Sequence, residues 1–345
     1  MSTLCGALNL KIVAMTGKKA YRICLVGAGR MGAKWAKIIA QNKRTNLVLL
    51  IDPDPAAAAK LAQAYHVVTA RTLRAGFLAA HAIDAVIIAV PHKYLFANAK
   101  IALQSRVHTL VEKPGARTLR EMQFLVRLAA RQKTQFMLGC NYRFFDAMQK
   151  VKKLVIKGQI GKINFMRIRH GHPGRPHYNK EWRMDKNLAG GGVLMDQGAH
   201  VIDLVNWFLP HARLVAGALG ATFWRAKVED NAAVTMQTAA GQMAIIHVSV
   251  TQWKPLFSLE IYGSKGYCLV NGLGSKYGGD GTFTFGKLNS KQRVSERKVR
   301  CATDPDHSFR NELAAFIHSL SSGWPVSPNG QDAINVLRAI KKIYG

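Results

Sequence analysis

The sequence predicts an α/β chain in two parts: an N-terminal doubly wound parallel sheet, then an α+β domain with a largely antiparallel open sheet. Three observations carry this prediction. Short β-branched runs alternate with helix-period segments as far as residue 141, and a glycine turn, GAGRMG, joins the first run to the first helix. Beyond residue 141 longer stretches of apolar–polar alternation, broken by glycine turns, replace the repeat. A chain of 345 residues with 48% hydrophobic content is long enough for two such domains.

In order, YRICLVG (21–27), NLVLLID (46–52), DAVIIAVP (84–91) and VHTLVEKP (107–114) read as buried strands. Segments starting near Met31, Pro55, Tyr94 and Leu119 read as the helices between them, with QFMLGCN (135–141) a further strand. This repetition predicts a Rossmann domain over residues 19–141. The second domain, 142–345, opens with a helix (146–157) and the strand GKINFMRIRHG (161–171). A glycine-hinged helix at 193–208 follows, then strand-like AAVTMQTAAGQMAIIHVSVTQW (232–253) and FSLEIYGSKGYCLVNG (257–272). Amphipathic helices at 308–321 and 330–343 close the chain. Residues 1–18 read as an extension, or Met15 as the start.

The charge is extreme: 49 Lys and Arg against 19 Asp and Glu, a net +30. It is spread over the chain, with 21 basic and 5 acidic residues up to 140 and 28 and 14 after it. A nucleic-acid binder concentrates its cations on one helix or stripe. Here KVKKLVIK (150–157) and KLNSKQRVSERKVR (287–300) read as solvated faces, so no specific nucleic acid is expected. An anionic substrate or a peripheral anionic membrane surface suits the charge better. Five scattered cysteines, Cys5, Cys24, Cys140, Cys268 and Cys301, form neither a disulfide framework nor a C-x-x-C zinc site. No apolar run approaches the roughly 20 residues that span a bilayer, and the N-terminal stretch lacks a basic leader region. A cytoplasmic protein is expected.

The turn Gly27-Ala28-Gly29-Arg30-Met31-Gly32 is G-x-G-x-x-G between a strand and a helix, the setting that lets backbone N–H groups and the helix N-terminus meet a pyrophosphate. Asp52, 20 residues past Gly32 at the end of the next strand, can accept both adenosine ribose hydroxyls and would repel a 2′-phosphate. Pro53 follows where an NADP-binding chain would more often carry Arg or Ser, so NAD is expected over NADP. The competing reading makes Asp52 a cap of the helix beginning near Pro53.

Together GAGRMG, Asp52, EKP (112–114) and GGGVLMDQGAHVIDLVNWF (190–208) are arranged so that the chain resembles the Gfo/Idh/MocA family from about residue 20 to its end. The resemblance implies that Lys113 is the catalytic lysine, Asp196 binds substrate and His200 transfers the proton. The residue chemistry agrees. Positions i and i+4 share one helix face, so Asp196 and His200 can address one sugar carbon. A histidine suits a general base near neutrality, and an ammonium steadies a developing alkoxide. The competing reading makes Asp196 a dipole-favoured helix residue and His200 a satisfied core histidine.

Glu112, Pro91 and His92 are expected on the nicotinamide side of the cofactor site. AVPHKYLFANAKIAL (89–103) departs from the T-P-N-x-x-H of relatives, with His92 at the Asn position and Leu95 at the His position. Tyr142 and Arg143 match a stretch that often contacts substrate, Arg143 as an anion or hydroxyl ligand or equally as an interdomain ion pair. HGHPGRPHYNKEWR (170–183) brings Arg175, Lys180 and Arg183 over the site. A zinc site from His170, His172 and His177 lacks acidic or cysteine ligands, so no metal is expected. With residues 260–285 this loop resembles, more loosely, a surface-polysaccharide branch of the family. That likeness implies a hexose or hexosamine substrate, free or on a nucleoside diphosphate held by the three cations.

The function expected is NAD-dependent oxidation of a sugar ring hydroxyl, C3 by resemblance. A glycosidase using transient C3 oxidation and a non-catalytic NAD- or sugar-sensing regulator are the alternatives. The family's C-terminal sheet implies a homodimer or homotetramer.

Overall fold

The computed structural model describes residues 20–274, 277–279, 281–301, 304 and 306–345; the extension 1–18 and Cys5 lie outside them. Six parallel strands form the first sheet, in the order β3-β2-β1-β4-β5-β6. They are β1 (Tyr21–Val26), β2 (Thr45–Ile51), β3 (Val68–Ala70), β4 (Ala85–Ile88), β5 (His108–Glu112) and β6 (Phe136–Gly139). Helices α1 (Arg30–Gln41), α2 (Pro55–Tyr65), α3 (Ala75–Ala80), α4 (His92–Gln104) and α5 (Leu119–Gln132) connect them. Strands β4 and β1 are buried along most of their length, the reason their sequences lack polar alternation. Within this first domain β3 and α3 are the elements the sequence pattern does not show; three and six residues are too few to carry a period.

Strand order turns back at β1, so the crevice beyond the carboxyl ends of β1 and β4 is where such a sheet takes a ligand. The glycine turn follows β1, Pro91 follows β4 and Lys113 follows β5, which sets all three on that edge.

The second sheet has eight strands in the order β14-β13-β12-β11-β7-β10-β9-β8. They are β7 (Ile163–Gly171), β8 (Arg213–Gly220), β9 (Asn231–Gln237), β10 (Met243–Ser249), β11 (Leu256–Gly263), β12 (Gly266–Asn271), β13 (Thr282–Leu288) and β14 (Val294–Arg300). All neighbours are antiparallel except β7 and β10. The basic run expected to be a solvated face is the exposed edge strand β14, where lysines and arginines discourage strand addition. Helix α6 (Asp146–Ile156) and the glycine-hinged helix, which follows the single turn α7 (Lys186–Ala189), lie on the covered side, with α8 (Ala199–Phe208) touching β7 and β10.

The first sheet ends at Gly139 and the second begins at Ile163, but the hydrophobic cores do not divide at the same place. Helices α9 (His307–Ser322) and α10 (Gly330–Tyr344) return to the first domain. Phe309, Leu313, Phe316 and Ile317 of α9 join Trp35, Ile38 and Leu25 in one core, and Leu138 N–H donates to the Pro328 carbonyl at 3.1 Å. An amphipathic pattern announces a buried face without naming the surface that buries it. Among the described residues no helix is long and apolar enough to cross a membrane. Cys24, Cys140, Cys268 and Cys301 are buried free thiols.

Candidate active site

The dinucleotide turn has the shape its glycines allow. Gly27 sits at φ +107°, and a Cβ there would collide with the Ala89 carbonyl at the end of β4. One on Gly32 would strike the Gly27 carbonyl, whereas one on Gly29 would meet nothing within 4 Å. Gly29 is also the N-cap of α1 and offers no side chain to its free N–H groups. A cradle that is closed behind and open in front of a helix N-terminus fits a dinucleotide diphosphate. Asp52 accepts from Ala28 N–H at 2.6 Å and from Asp54 N–H at 2.8 Å, fastening the turn to the end of β2. The cap of α2 is Asp54, which accepts from Ala56 and Ala57, so the competing role for Asp52 falls away. Met31 packs against the core, and Arg30 is exposed on the side facing Arg175, Arg183 and Glu181, whose charges act on it.

Along the same edge Glu112 accepts from Trp35 Nε1 at 2.8 Å, and burial pushes its carboxyl up. His92, next to Pro91, is buried with Nδ1 at 2.8 Å from the Ala189 carbonyl and its ring edge-on to Trp182 at 4.9 Å. Burial, reinforced by the Lys113 ammonium, lowers its pKa to about 3. This histidine fastens the segment before the glycine hinge to the first domain.

Lys113 and Asp196 meet directly. The ammonium contacts Asp196 Oδ1 and donates to the Asp196 carbonyl at 2.6 Å. Asp196 Oδ2 receives Gln197 Nε2 at 3.0 Å and lies 3.3 Å from Arg183 Nε. Burial alone would raise the Asp196 pKa; the charges of Lys113 and then Arg183 overcome it and hold the carboxyl well below the ordinary range. His200 is buried, stacked on the Tyr142 ring at 4.1 Å and 9°, and its Nδ1 has no hydrogen-bond partner. Burial and the nearby Lys113 push its pKa well below 6.5, so the imidazole is neutral.

The helix carrying these two residues is not the single α-helix the sequence predicts. Leu194–Gly198 forms a π turn and α8 begins only at Ala199. Such turns re-aim side chains and recur at functional sites. The hinge before it is held by Glu229, whose carboxylate accepts from Gly192 N–H at 3.0 Å, Leu194 N–H at 2.9 Å and the Tyr344 hydroxyl at 2.7 Å. A Cβ on Gly192 would run into the Glu229 backbone, and one on Gly191 into the Tyr344 hydroxyl.

The expected substrate residues divide. Tyr142 lies in the site, its hydroxyl 2.9 Å from His170 Nε2. Arg143 does not serve as a substrate ligand here: it is buried and bound to both Asp203 oxygens at 2.7 and 2.6 Å, with Asp332 at 3.1 Å. It forms an ion pair, but within the second domain and not between domains, tying its segment to Asp203 on α8 and Asp332 on α10. Arg183 is at Asp196; Arg175 pairs with Glu181 and rides over the Tyr178 ring at 5.5 Å; Lys180 is exposed. Of the three loop histidines, His170 is engaged by Tyr142, Gln197 (2.7 Å) and the Leu256 carbonyl (3.1 Å). His172 is lowered to about 4, chiefly by burial, and His177 is exposed. Sequence reasoning missed Gln197, Glu181, Trp182, Glu229 and Tyr344, because only the fold brings them to the motifs; the single local signal was Gln197 beside Asp196.

The comparisons with known proteins bear on the family and the fold. Residues 21–140 match the oxidoreductase family NAD-binding Rossmann fold, and residues 148–268 match the GFO/IDH/MocA C-terminal domain. Inositol 2-dehydrogenase of Rhizobium meliloti (strain 1021) is 28% identical over 334 residues, covering 92% of this chain and 93% of its own length. Among solved structures, levoglucosan dehydrogenase in complex with NADH and levoglucosan aligns with a TM-score of 0.85 at 20% identity, over 94% of this chain and 96% of that one. UDP-N-acetylglucosamine 3-dehydrogenase from Acidithiobacillus ferrooxidans aligns with a TM-score of 0.79 at 21% identity, over 94% and 97%. At those identities the structural likeness is one of fold. With both of its halves matched, the chain belongs to the Gfo/Idh/MocA family of oxidoreductases, sugar dehydrogenases that act on a CH–OH group with NAD(P).

Proposed function

We propose that this protein is an NAD-dependent dehydrogenase that moves a hydride between a ring carbon of a hexose-type sugar, C3 by preference, and the nicotinamide. The sugar is a hexose or a hexosamine linked to a nucleoside diphosphate. The observation that carries the reading is the direct contact of Lys113 with Asp196 beside a buried, neutral His200. The choice of NAD rests on Asp52, whose carboxylate suits ribose hydroxyls and opposes a 2′-phosphate.

When bound, the cofactor supplies the hydride acceptor at its nicotinamide ring. The chain supplies the rest. Asp196, kept ionised by Lys113 and Arg183, accepts a hydrogen bond from a sugar hydroxyl and fixes the ring. His200 takes the proton of the reacting hydroxyl, for which a neutral imidazole is required, and Tyr142 holds its plane. Lys113 donates to the oxygen as negative charge grows there. Arg175, Lys180 and Arg183 form the cationic side of the pocket, the part suited to phosphate.

The test is NADH formation, by absorbance and fluorescence, against free and nucleotide-linked sugars. His200→Ala and Lys113→Ala should each lower kcat by roughly a hundredfold to ten-thousandfold. Full turnover in either variant would remove that residue from the chemistry. Glycoside cleavage without net NADH would convert the reading to an NAD-dependent glycosidase, and NAD binding with no turnover at all would favour a sensor.

A further inference from the structure

We propose that the exposed aromatic pair Phe223 and Trp253, flanked by Arg225, Lys227 and Lys254, is a subsite for the nucleoside diphosphate end of the substrate. The base lies on the rings, and the diphosphate runs from these cations toward Arg175, Lys180 and Arg183, the cations proposed above to face phosphate. This rests on the nucleotide-linked form of the function proposed above.

Trp253 is 85% exposed and Phe223 51%, with ring centroids 6.1 Å apart and planes at 84°. Single exposed apolar residues need no explanation, but these two stand on a built platform. The Asp230 carboxylate accepts from the backbone N–H of Phe223 at 2.8 Å, Trp224 at 3.1 Å and Thr222 at 3.3 Å, and from Asn231 Nδ2 at 2.9 Å. The loop that presents Phe223 is therefore pinned. Trp224, 5.2 Å from Phe223, is itself fixed by a 2.7 Å hydrogen bond from its Nε1 to the Val250 carbonyl.

The platform is continuous with the active site. Trp224 packs on Tyr178 at 5.5 Å and covers Gly174 so closely that a Cβ there would strike the indole. Tyr178 carries Arg175 over its ring and belongs to the loop whose Arg183 reaches Asp196. Rings and cations thus run from Asp196 outward to Trp253.

Charge selects the occupant. Arg225, Lys227 and Lys254 are exposed, and none has an ion-pair partner among the described residues. The acidic neighbours are buried: both Asp230 oxygens accept from N–H groups, and Glu229 Oε1 accepts from Gly192, Leu194 and the Tyr344 hydroxyl. A second copy of this chain meeting the patch across a two-fold axis would oppose like charges. A ligand with a π-face and a diphosphate satisfies both halves, since aromatic side chains stack any base and cations hold phosphate.

The experiment is calorimetric titration of UDP, dTDP, GDP and CDP into the full chain saturated with NADH, which keeps the dinucleotide site filled. At least one should bind, Trp253→Ala should weaken it about tenfold, and an Arg225→Gln, Lys254→Gln double variant should weaken it and flatten its salt dependence. Trp253 is so exposed that its replacement should leave the melting temperature in place. Equal affinity in wild type and Trp253→Ala overturns the subsite, while the nucleotide-linked reading stands if NADH still forms from a nucleotide sugar. Failure of every diphosphate to bind overturns the subsite too, and NADH from free sugars alone then removes the reading beneath it. A Trp253→Ala chain that changes mass in light scattering with nucleotide affinity intact assigns the rings to contact between copies and also overturns the proposal.

Discussion

His200 and Asp196 show how one environment sets two opposite protonation tasks. Both are buried, and burial favours the neutral form of each. The Lys113 ammonium then works with burial on the histidine and against it on the carboxylate, which leaves a neutral imidazole beside an ionised carboxylate. His92 and His172 are likewise lowered, to about 3 and about 4, mainly by burial. The sign of the linkage follows: an unfolded histidine titrates near 6.5, so the unfolded chain binds more protons below that pH. Stability from these groups is fully present above about 6.5 and is lost as pH falls toward their folded values. Each costs roughly 1.4 kcal/mol per pH unit over that interval. Thermal melts from pH 7 down to about 4 should show a steep decline, and His92→Gln should flatten it; an unchanged slope in that variant would count against a neutral buried His92.

At the scale of elements, the decisive device is the junction of glycine hinge, π turn and α8. Its N-terminal N–H groups are met by Glu229 rather than by a local cap, and the Tyr344 hydroxyl from α10 steadies that carboxylate. Glu229 is thus a positioning residue for Asp196. Removing it strands two buried donors at about 1–3 kcal/mol each. Glu229→Ala should raise the sugar KM and lower kcat while the dissociation constant for NADH stays in place, with Glu229→Gln recovering part of the loss. An Ala variant that is merely less stable, with its kinetic constants intact below the melting temperature, would reduce Glu229 to a structural role. Tyr344→Phe should repeat the kinetic effect more weakly.

For the whole molecule, the net charge of +30 is the property least explained by the fold. It is scattered over both domains, yet Arg30, Arg175 and Arg183 lie close enough to act on one another beside Asp196. Long-range attraction of an anion falls as salt shortens the Debye length, which is about 8 Å at physiological ionic strength. For a nucleotide-linked sugar kcat/KM should therefore fall as ionic strength rises, whereas a neutral sugar should respond little. Identical salt profiles for the two would remove steering as the purpose of the charge.

The parallel sheet, the dinucleotide turn and the residues that carry the motifs are legible in the chain alone, because each is written in local spacing. Strand runs without polar alternation, Gly27 through Gly32, Asp52 behind its strand, and Asp196 four residues before His200 all lie within short windows. What those residues touch depends on contacts that form across the folded chain. Arg143 and Arg183 look alike in sequence, but one is consumed by Asp203 inside the second domain and the other turns to Asp196. Nothing near residue 190 announces that Glu229 and Tyr344 hold the hinge, nor does α9 announce that it packs on the first domain. Hydrogen bonds and burial between residues far apart in the chain leave no period to read; they are settled when both sheets and the closing helices come together.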